Sequence, residues 1–447
     1  MISKMWRKGR IRETLRYGRG SVVVDLPSKN CRAIVQPSLP PAIGDLDAAI
    51  EQCLNDPVGG EPLSKIVEGR QNVIVVIPDI TRGPAPCAYL PPLLRHIERH
   101  HVRREDVTIL TATGSHRGTH SDAERETLVG AEIALNWTVV DHDADAGNEE
   151  IEPLDDKTPL WIHARALKAD CLILAGQLSY HYCAGFGGGR KLIAPGLCGR
   201  TTVHALHRRT LANIDPSGGW RSRTGTLRHN PFHEALAAVA ERVGPDFTLN
   251  VTAGWEGNII GVVAGDPVHS HLLACLQYDK IFRFPVAERL PLVVASCGGW
   301  PHDVNFYQAH KAFDNAFRAV APGGTIVLLA ECAEGWGTES FLRWFSITSL
   351  KEHRERLENE FEVAGHTAYA LKWKTRQCRL IVVSETLTRA VKDGQTPSWL
   401  SDDASSSPFR IEITGDLNKA LAKAAPNHSL PYYLMPVASS CLPEVTG

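Results

Sequence analysis

The side chains best suited to chemistry lie in residues 176–207, GQLSYHYCAGFGGGRKLIAPGLCGRTTVHALH. This stretch contains His181, Lys191 and His207, and a glycine-rich segment (residues 185–189) lies between the first two. Because glycine has no Cβ, the backbone N–H groups of such a segment can closely approach an anion such as phosphate. Lysine adds a positive charge or an amine nucleophile, and each histidine can carry a proton or bind a metal. The combination indicates a phosphate-bearing cofactor beside a metal or a proton-transfer centre.

The familiar nucleotide-binding loops do not match this stretch. A P-loop requires Gly-Lys-Ser/Thr, but Lys191 is preceded by Arg190 and followed by Leu192. The dinucleotide pattern GxGxxG begins at Gly185 and fails at Arg190. An ordinary glycine-rich turn with an exposed lysine therefore remains the alternative interpretation of the glycines and the lysine alone.

Further polar groups follow apolar runs elsewhere in the chain. The runs 73–77, 107–110 and 171–174 are short and nearly continuous, which is typical of parallel strands that are buried on both faces. Asp79, His116 and His181 come shortly after these three runs. Since functional groups collect at the carboxyl ends of parallel strands, we expect the three side chains to converge on one crevice.

The length of 447 residues predicts two α/β domains with mostly parallel sheets and a cofactor cleft between them. We place the cofactor-binding domain at residues 1–283 and the second domain at 288–405, where strands at 292–296, 325–330 and 380–383 and a helix at 308–320 are expected. The polar stretch 393–408 is interpreted as a surface connection. Residues 409–447 are too short for a domain and are expected to pack back on the first one. A separate helix is predicted at Pro231–Val243, with proline at its start and Gly244 at its end.

Composition excludes several functional classes. A net charge of −2 gives no electrostatic reason to expect a nucleic-acid partner. No apolar stretch approaches the roughly 20 residues of a membrane helix, and the basic N-terminus is not followed by an apolar run. The 11 cysteines include no CxxC pair, which argues against a disulfide scaffold or a zinc knuckle. We therefore expect a cytoplasmic protein with reduced thiols and no membrane partner.

Five blocks of the sequence, in this order, resemble the nickel-dependent lactate racemase family, a group of 2-hydroxyacid racemases and epimerases. The blocks are DITR at 79–82, TGSHR at 113–117, HYCAGFGGGRK at 181–191, His207, and DVNFYQAHK at 303–311. They cover both halves of the chain, and the steps from His181 to Lys191 and on to His207 are similar to the family's spacing.

The resemblance implies a cofactor and a set of roles. The cofactor is a nickel-pincer nucleotide, a pyridinium mononucleotide whose two sulfurs and ring carbon bind nickel, linked through Lys191, with His207 as the protein's nickel ligand. His116 and His181 correspond to acid/base histidines on opposite sides of the substrate's α-carbon. The other cofactor-binding residues implied are Asp79, Thr81, Arg82, Gly187, Gly188, Gly189 and Tyr307. The substrate-binding residues implied are Arg82, Gln308 and Lys311.

The implied reaction is inversion of the α-carbon of a 2-hydroxycarboxylate by reversible hydride transfer to this cofactor. Direct removal of the weakly acidic α-proton would need a large electrostatic input. Two histidines suit proton transfer in both directions near neutral pH. The resemblance also implies that cofactor-biosynthesis proteins load the enzyme. Lactate, malate, an aromatic hydroxyacid and a sugar acid stay open as substrates, as do the oligomeric state and the choice between Trp336 and Trp373 as the pocket tryptophan. His302 and His310 are expected at the surface.

Two alternatives come from other functional classes. One is a catalytically silent homologue that binds the nucleotide as a carrier or sensor. The other is a zinc hydrolase that uses His116, His181 and His207, although no carboxylate stands at HExxH-type spacing.

Overall fold

The computed structural model describes residues 5–7, 9–81, 86–119, 121–211, 221–254, 257–395, 397, 400, 409–426 and 429–446. They belong to two units. The central unit is continuous and comprises Leu39–Lys280, whereas the terminal unit combines Met1–Ser38 with Ile281–Gly447. Among the described residues, no helix combines the length and the apolar character needed to cross a membrane.

The chain begins with four strands of the terminal unit: β1 (Met5–Arg7), β2 (Arg10–Tyr17), β3 (Gly20–Pro27) and β4 (Cys31–Ile34). The first three form an antiparallel meander. Buried residues alternate with exposed ones along β2, which is the pattern of a strand with one buried face. That face joins the core of the terminal unit through Ile11 and Leu15.

The central unit is built on a six-stranded sheet with helices on both faces. Its strands, in spatial order, are β14 (Ile259–Gly265), β13 (Phe247–Ala253), β10 (Cys171–Leu178), β5 (Val73–Pro78), β6 (Val107–Ala112) and β7 (Thr138–Asp141). All neighbours are parallel except β13 and β14. Alternate residues of β5 enter two different cores, Val73 and Val75 on one face and Ile74 and Val76 on the other, which explains its unbroken apolar run.

The remaining elements of the central unit surround this sheet. Its helices are α1 (Leu46–Asn55), α2 (Leu63–Ile66), α3 (Leu90–Arg99), α4 (Asp122–Val129), α5 (Ala131–Asn136), α6 (Ala164–Leu167), α7 (Arg200–Arg208), α8 (Pro231–Val243) and α9 (His269–Phe282), the last of which runs into the terminal unit. Two antiparallel hairpins are formed by β8 (Asn148–Asp155) with β9 (Thr158–His163), and by β11 (Tyr180–His181) with β12 (Gly185–Phe186).

The terminal unit has its own six-stranded parallel sheet, in the order β19-β18-β17-β16-β20-β4. Its further strands are β15 (Arg283–Val286), β16 (Leu290–Ser296), β17 (Val320–Leu329), β18 (Arg379–Val383), β19 (Ile411–Thr414), β20 (Tyr432–Met435) and β21 (Leu442–Val445). Its helices are α10 (Phe306–Phe317), α11 (Glu339–Phe345), α12 (Leu350–Asn359), α13 (Val363–Thr375), α14 (Glu385–Lys392) and α15 (Leu417–Ala424).

The predicted fold class, two α/β units with mostly parallel sheets, is confirmed. The division of the chain differs from the expected one. Strand β20 pairs in parallel with β16 and β4, so the C-terminal segment belongs to the terminal unit, together with Met1–Ser38, which the expected division places in the cofactor-binding domain. The physical reason is that the fully buried β20 lies between these two strands, where both of its edges are hydrogen-bonded. Most of the polar connection 393–408 lies outside the described residues.

A buried lysine holds the helical layer of the terminal unit together. Lys372 on α13 is fully buried, and its Nζ donates to the carbonyl oxygens of Trp344 at 2.7 Å and Ile347 at 2.5 Å. Trp344 lies in the last turn of α11 and Ile347 just after its end, where a helix leaves its last C=O groups without internal partners. The ammonium therefore supplies donors that the backbone of this region lacks.

We expect Lys372→Met to lower the free energy of unfolding of the terminal unit by about 2 kcal/mol or more, because it leaves two buried carbonyl oxygens unsatisfied. The control is Lys351→Met, since the Lys351 side chain is 88% exposed and its loss should change stability by no more than about 0.5 kcal/mol. Urea unfolding followed by tryptophan fluorescence measures both, and equal midpoints for the two variants would contradict the role of Lys372.

Candidate functional site

Two predicted site residues of neighbouring strands are in contact. Asp79 follows β5 and is 4% exposed, and His116 follows the adjacent strand β6. Asp79 Oδ2 lies 3.1 Å from His116 Nδ1, while Asp79 Oδ1 accepts hydrogen bonds from the backbone N–H of Thr81 at 2.8 Å and from the Thr81 hydroxyl. A carboxylate can only accept, so in the neutral form of His116 Nδ1 carries the proton and Nε2 has the lone pair. This is the arrangement of a general base oriented by a carboxylate.

The loop of His116 is tied to the segment that follows Lys191. Gly114 has a φ of +57°, and its N–H donates to Gly196 O at 2.9 Å. A Cβ at Gly114 would lie 3.3 Å from Pro195 O, so this close approach favours glycine. His116 N–H in turn donates to Thr113 O at 2.9 Å. The 113–117 loop and the segment that follows Lys191 are thus hydrogen-bonded to each other.

The glycine-rich segment folds tightly against the elements beneath it. Gly185 has a φ of +78°, and a Cβ there would lie 2.3 Å from Thr226 O. Gly189 has a φ of +47°, and a Cβ there would lie 2.5 Å from Cδ2 of His271 on α9. Gly187 N–H donates to Ser179 O at 2.7 Å, which folds the segment back on the end of β10. Side chains at these positions would push the segment away from its support.

His181 is held by the turn that it begins. Its Nδ1 accepts hydrogen bonds from the backbone N–H groups of Cys183 at 3.2 Å and Ala184 at 3.0 Å. Its ring stacks on that of Tyr182 with centroids 5.7 Å apart. The predicted acid/base residue therefore has a fixed ring orientation at the start of the glycine-rich segment.

Lys191 lies in a short 3₁₀ turn, Gly189–Leu192, in which its N–H donates to Gly188 O at 3.1 Å. The preceding residue, Arg190, points into the protein and is only 7% exposed. Its guanidinium donates to His233 Nδ1 at 2.8 Å and to Ala184 O at 2.8 Å, and Nη1 lies 2.9 Å from His271 Nε2. Arg190 thus anchors the turn from inside the protein, whereas the adjacent Lys191 is only partly buried.

His207 lies in the last turn of α7, where its Nδ1 is 2.8 Å from Val203 O. Because a carbonyl oxygen only accepts, Nδ1 carries the proton and Nε2 holds the lone pair. The ring also packs on that of Phe232, with centroids 4.9 Å apart. Burial lowers the pKa of His207 to about 4, and the nearby charges of Lys191, His204 and His116 act in the same direction. A neutral imidazole whose other nitrogen is hydrogen-bonded to a carbonyl is the usual form of a metal-ligating histidine.

Protein side chains alone do not form a metal site in the part of the chain that the structure describes. There, no three His, Cys, Asp or Glu side chains are grouped as metal ligands. His116, His181 and His207 accordingly do not form the three-histidine site that the zinc hydrolase alternative requires. The described residues therefore do not supply a full set of protein ligands to a metal at His207.

The terminal unit positions the other predicted site residues at the start of α10. The side chain of Asn305 caps this helix by accepting from Gln308 N–H at 2.9 Å, and Lys311 Nζ donates to Gln308 Oε1 at 2.7 Å. Tyr307 packs against the loop before α11, where a Cβ at Gly337 would lie 2.5 Å from Tyr307 Cβ. Gln308 and Lys311, three residues apart, thus share a helical face.

Burial corrects one expectation about this unit. His310 was expected at the surface, but it is 6% exposed, because it falls on the same face of α10 as Phe306 and Phe313. Trp336 is 8% exposed and packs edge-to-face on Phe306, with centroids 5.8 Å apart, so it supports the loop rather than standing free. Arg82 lies outside the described residues.

Sequence reasoning missed the polar residues behind the glycine-rich segment. Asn230 is fully buried, caps α8 and donates from Nδ2 to Cys183 O at 2.8 Å. Its position before Pro231 is a recognisable helix-start signal, which could have identified the cap. Nothing in the local sequence indicates the contact with Cys183, nor that of Arg190 with His233 and His271, because these partners are distant along the chain.

Comparison with known proteins adds independent evidence. The family model of the lactate racemase N-terminal domain matches residues 17–218, and that of the lactate racemase C-terminal domain matches residues 287–429. The chain is 33% identical to a lactate racemase of Thermoanaerobacterium thermosaccharolyticum over 74% of this chain and 76% of the relative. It is 28% identical to a lactate racemase of Lactiplantibacillus plantarum over 84% of this chain and 85% of the relative.

Solved structures agree with these sequence matches. The lactate racemase apoprotein from T. thermosaccharolyticum superimposes with a TM-score of 0.84 at 28% identity, covering 97% of this chain and 100% of that one. A protein from Thermotoga maritima has a TM-score of 0.62 at 16% identity, covering 90% of this chain and 98% of that one, which shows a common fold.

We expect Gly185→Ala to destabilise the central unit by more than the 1–2 kcal/mol or so of a left-handed non-glycine residue, because its Cβ would also collide with Thr226 O. Gly69→Ala is the matched control, since Gly69 has a similar φ of +72° and nothing within 4 Å of the added Cβ. Thermal unfolding of the two apoprotein variants measures the difference. If both lose equal stability, the close approach at Gly185 does not constrain the segment.

Proposed function

Since the chain belongs to the lactate racemase family, and is therefore an isomerase of the racemase type, we propose that it inverts the α-carbon of a 2-hydroxycarboxylate. Lactate is the first candidate substrate, because it is the one named for the relatives. The observation that carries the proposal is the hydrogen bond between Asp79 and His116, which leaves Nε2 of His116 as a base at the strand ends.

The residue types fit removal of a hydroxyl proton better than removal of the α-proton. The α-C–H of a hydroxycarboxylate is weakly acidic, and a carbanion there would need strong stabilisation of negative charge. A neutral imidazole can take a hydroxyl proton and return it near neutral pH. The carboxylate of Asp79 stabilises the imidazolium that forms on His116, because a nearby negative charge favours the protonated ring.

We further propose that the residues around the glycine-rich segment hold a nickel-pincer nucleotide. Tight turns of glycine at 187–189 suit a phosphate, and a late divalent metal suits the Nε2 lone pair of His207. The lack of a cluster of protein ligands among the described residues fits a cofactor that brings most of its own metal ligands. When bound, such a cofactor supplies a reversible acceptor for the hydride of the α-carbon.

Attachment and substrate contacts complete the proposal. Lys191 is the candidate for the covalent link, because its charge lies close enough to His207 to lower the pKa of that ring, after burial as the main cause. Asp79 and Thr81 order the loop that precedes Arg82. Arg82, Gln308 and Lys311 are proposed as substrate-binding residues and Tyr307 as a cofactor-binding residue. Loading of the enzyme then depends on the proteins that make the cofactor, in the cytoplasm.

Racemisation of single enantiomers tests the proposed function. We expect protein co-produced with the cofactor-biosynthesis proteins to convert L- and D-lactate, malate, an aromatic hydroxyacid or an aldonate toward equilibrium, followed by chiral chromatography. His116→Gln should reduce turnover by about 100-fold or more, the usual contribution of a general base, because it removes the proton acceptor. His100→Gln, an exchange of another His of the central unit at the end of α3, is the control. Loaded protein that racemises none of these acids would favour the sensor alternative.

Cofactor attachment is tested by mass and metal content. Lys191→Ala should lose the covalent adduct seen in the intact mass of loaded protein, because the nucleophilic amine is gone. His207→Ala should lose nickel, because it removes the only ligand proposed from the protein. The controls are Lys65→Ala, at a side chain that is 63% exposed, and His204→Ala on the exposed face of α7. An adduct that persists in Lys191→Ala, or full nickel content in His207→Ala, would place the attachment elsewhere.

A further inference from the structure

The loop of residues 113–119, here called the His116 loop, is held at its far end by Asp141, the last residue of β7. Asp141 Oδ2 accepts hydrogen bonds from the backbone N–H of Thr119 at 2.8 Å and from the Thr119 hydroxyl at 2.6 Å. A Cβ added to Gly118 would lie 2.8 Å from the same carboxylate oxygen. Hydrogen bonds to a carboxylate are among the stronger ones in proteins. The far end of the loop is therefore fixed to β7 by contacts that need both this carboxylate and the glycine.

The near end of the loop is held by the next residue, His142. Its backbone N–H donates to Thr111 O at 3.0 Å, and its C=O accepts from the Thr113 hydroxyl at 2.7 Å. Both threonines are buried, so water does not compete for these hydrogen bonds. Two consecutive residues at the end of β7 thus bind the chain three residues before His116 and three residues after it, at Thr119.

His142 also links the His116 loop to the segment before α7. Its Nε2 lies 3.0 Å from Cys198 O, and because a carbonyl oxygen only accepts, Nε2 is the donor. Burial lowers the pKa of His142, which favours the neutral ring, and the single ring N–H of that form is used in this hydrogen bond. Cys198 directly precedes Gly199, the N-cap of α7, and the last turn of that helix carries His207.

The side chain of Asp141 serves the His116 loop and no other part of the described chain. Both of its hydrogen bonds go to Thr119, and among the described residues its Oδ1 has no partner. The carboxylate is thus not part of a wider polar network that stabilises the sheet. Its removal should therefore loosen the loop selectively and leave the rest of the central unit folded.

We infer that Asp141 and His142 are positioning residues that hold the His116 loop at both ends and connect it to the start of α7. The edge strand β7 thereby sets where His116 lies, although it carries none of the candidate site residues. The importance of this placement for turnover rests on the proposed function, whereas the hydrogen bonds that produce it do not.

Hydrogen–deuterium exchange of the apoprotein, followed by mass spectrometry, measures how firmly the loop is held. Asp141→Ala removes the acceptor of the Thr119 N–H, so peptides of the His116 loop should exchange about tenfold faster, the scale of one hydrogen bond. Asp170→Ala is the matched control, because its carboxylate also accepts from two backbone N–H groups, those of Gln71 and Asn72, just before β5 and β10 begin. Unchanged exchange of the loop in Asp141→Ala, or an equal increase in the control, overturns the inference whatever the enzyme's activity.

Two further variants disturb the two ends of the loop separately. Gly118→Ala places a Cβ against the carboxylate beneath it, and Thr113→Val keeps the shape of the side chain but loses the hydroxyl donor. Both should speed exchange of the His116 loop by about tenfold. Gly44→Ala, with nothing within 4 Å of the added Cβ, and Thr127→Val, whose hydroxyl donates to a carbonyl of α4 at the same 2.7 Å, are the controls. Exchange that both test variants leave unchanged would contradict the two-ended attachment.

The link to α7 is tested at the ring of His142. His142→Leu removes the donor to Cys198 O, so peptides of the segment 196–200 should exchange about tenfold faster. His142→Gln keeps an N–H donor at the end of the side chain and should restore most of the slow exchange. Equal exchange of this segment in the wild type and in His142→Leu would show that the ring does not hold it.

Turnover of the loaded holoenzyme tests whether Asp141 acts through His116. We expect Asp141→Ala to lower kcat about tenfold with unchanged nickel content, because the loop no longer holds His116 in place. Asp141→Asn keeps an acceptor oxygen for the Thr119 N–H and should recover most of this loss. In a His116→Gln background, Asp141→Ala should cause no further loss, since two changes that act through one residue are not additive. An equal loss in both backgrounds would overturn the positioning role.

The two kinds of measurement separate this inference from the proposed function. If loaded wild-type protein racemises no 2-hydroxycarboxylate, the proposed function fails. Faster exchange of the His116 loop in Asp141→Ala would still support, and unchanged exchange would still overturn, the attachment of the loop to the end of β7.

Discussion

The site of the central unit depends on the absence of side chains in the glycine-rich segment. A Cβ at Gly185 or Gly189 would lie within about 2.5 Å of Thr226 O or the His271 ring, and both residues have positive φ angles. The chain between His181 and Lys191 can therefore fold against α8 and α9 only with glycine at these points. This close packing fixes the path of the chain between His181 and Lys191. The two candidate site residues are thus positioned by residues that have no side chain.

Burial of Arg190 adds an electrostatic consequence to this packing. Burial lowers the pKa of Arg190 to about 10, so the guanidinium is still charged at neutral pH. Its hydrogen bonds go to neutral partners, the rings of His233 and His271 and the carbonyl of Ala184. Its charge therefore contributes a positive field behind the glycine-rich segment, where Lys191 adds a second cation. Such a field favours an anionic group, which agrees with a phosphate-bearing ligand.

Features with a local cause could be predicted from the sequence. The apolar runs at 73–77 and 107–110 gave strands because each alternate residue enters a core on one of the two sheet faces. The helix Pro231–Val243 has the predicted bounds because its start and its Gly244 end are set by backbone preferences. Features with distant partners could not be predicted. Strand β20 joins a sheet with β4, about 400 residues earlier, and Asn230 reaches Cys183, 47 residues away. Local sequence patterns do not indicate such pairings between distant residues.

The three site histidines also differ in whether the hydrogen-bond partner of Nδ1 is local or distant along the chain. For His207 the acceptor is Val203 O, four residues earlier on a helix, so helix geometry alone explains its lone pair on Nε2. For His181 the donors are N–H groups two and three residues later, in a local turn whose carbonyl groups accept hydrogen bonds from Asn230 and Arg190. For His116 the partner is Asp79 on another strand. Residue type is thus common to the three, whereas the partner that each Nδ1 faces is different and sets which ring nitrogen carries the proton in the neutral form. The tertiary structure, through these partners, assigns different chemistry to identical side chains.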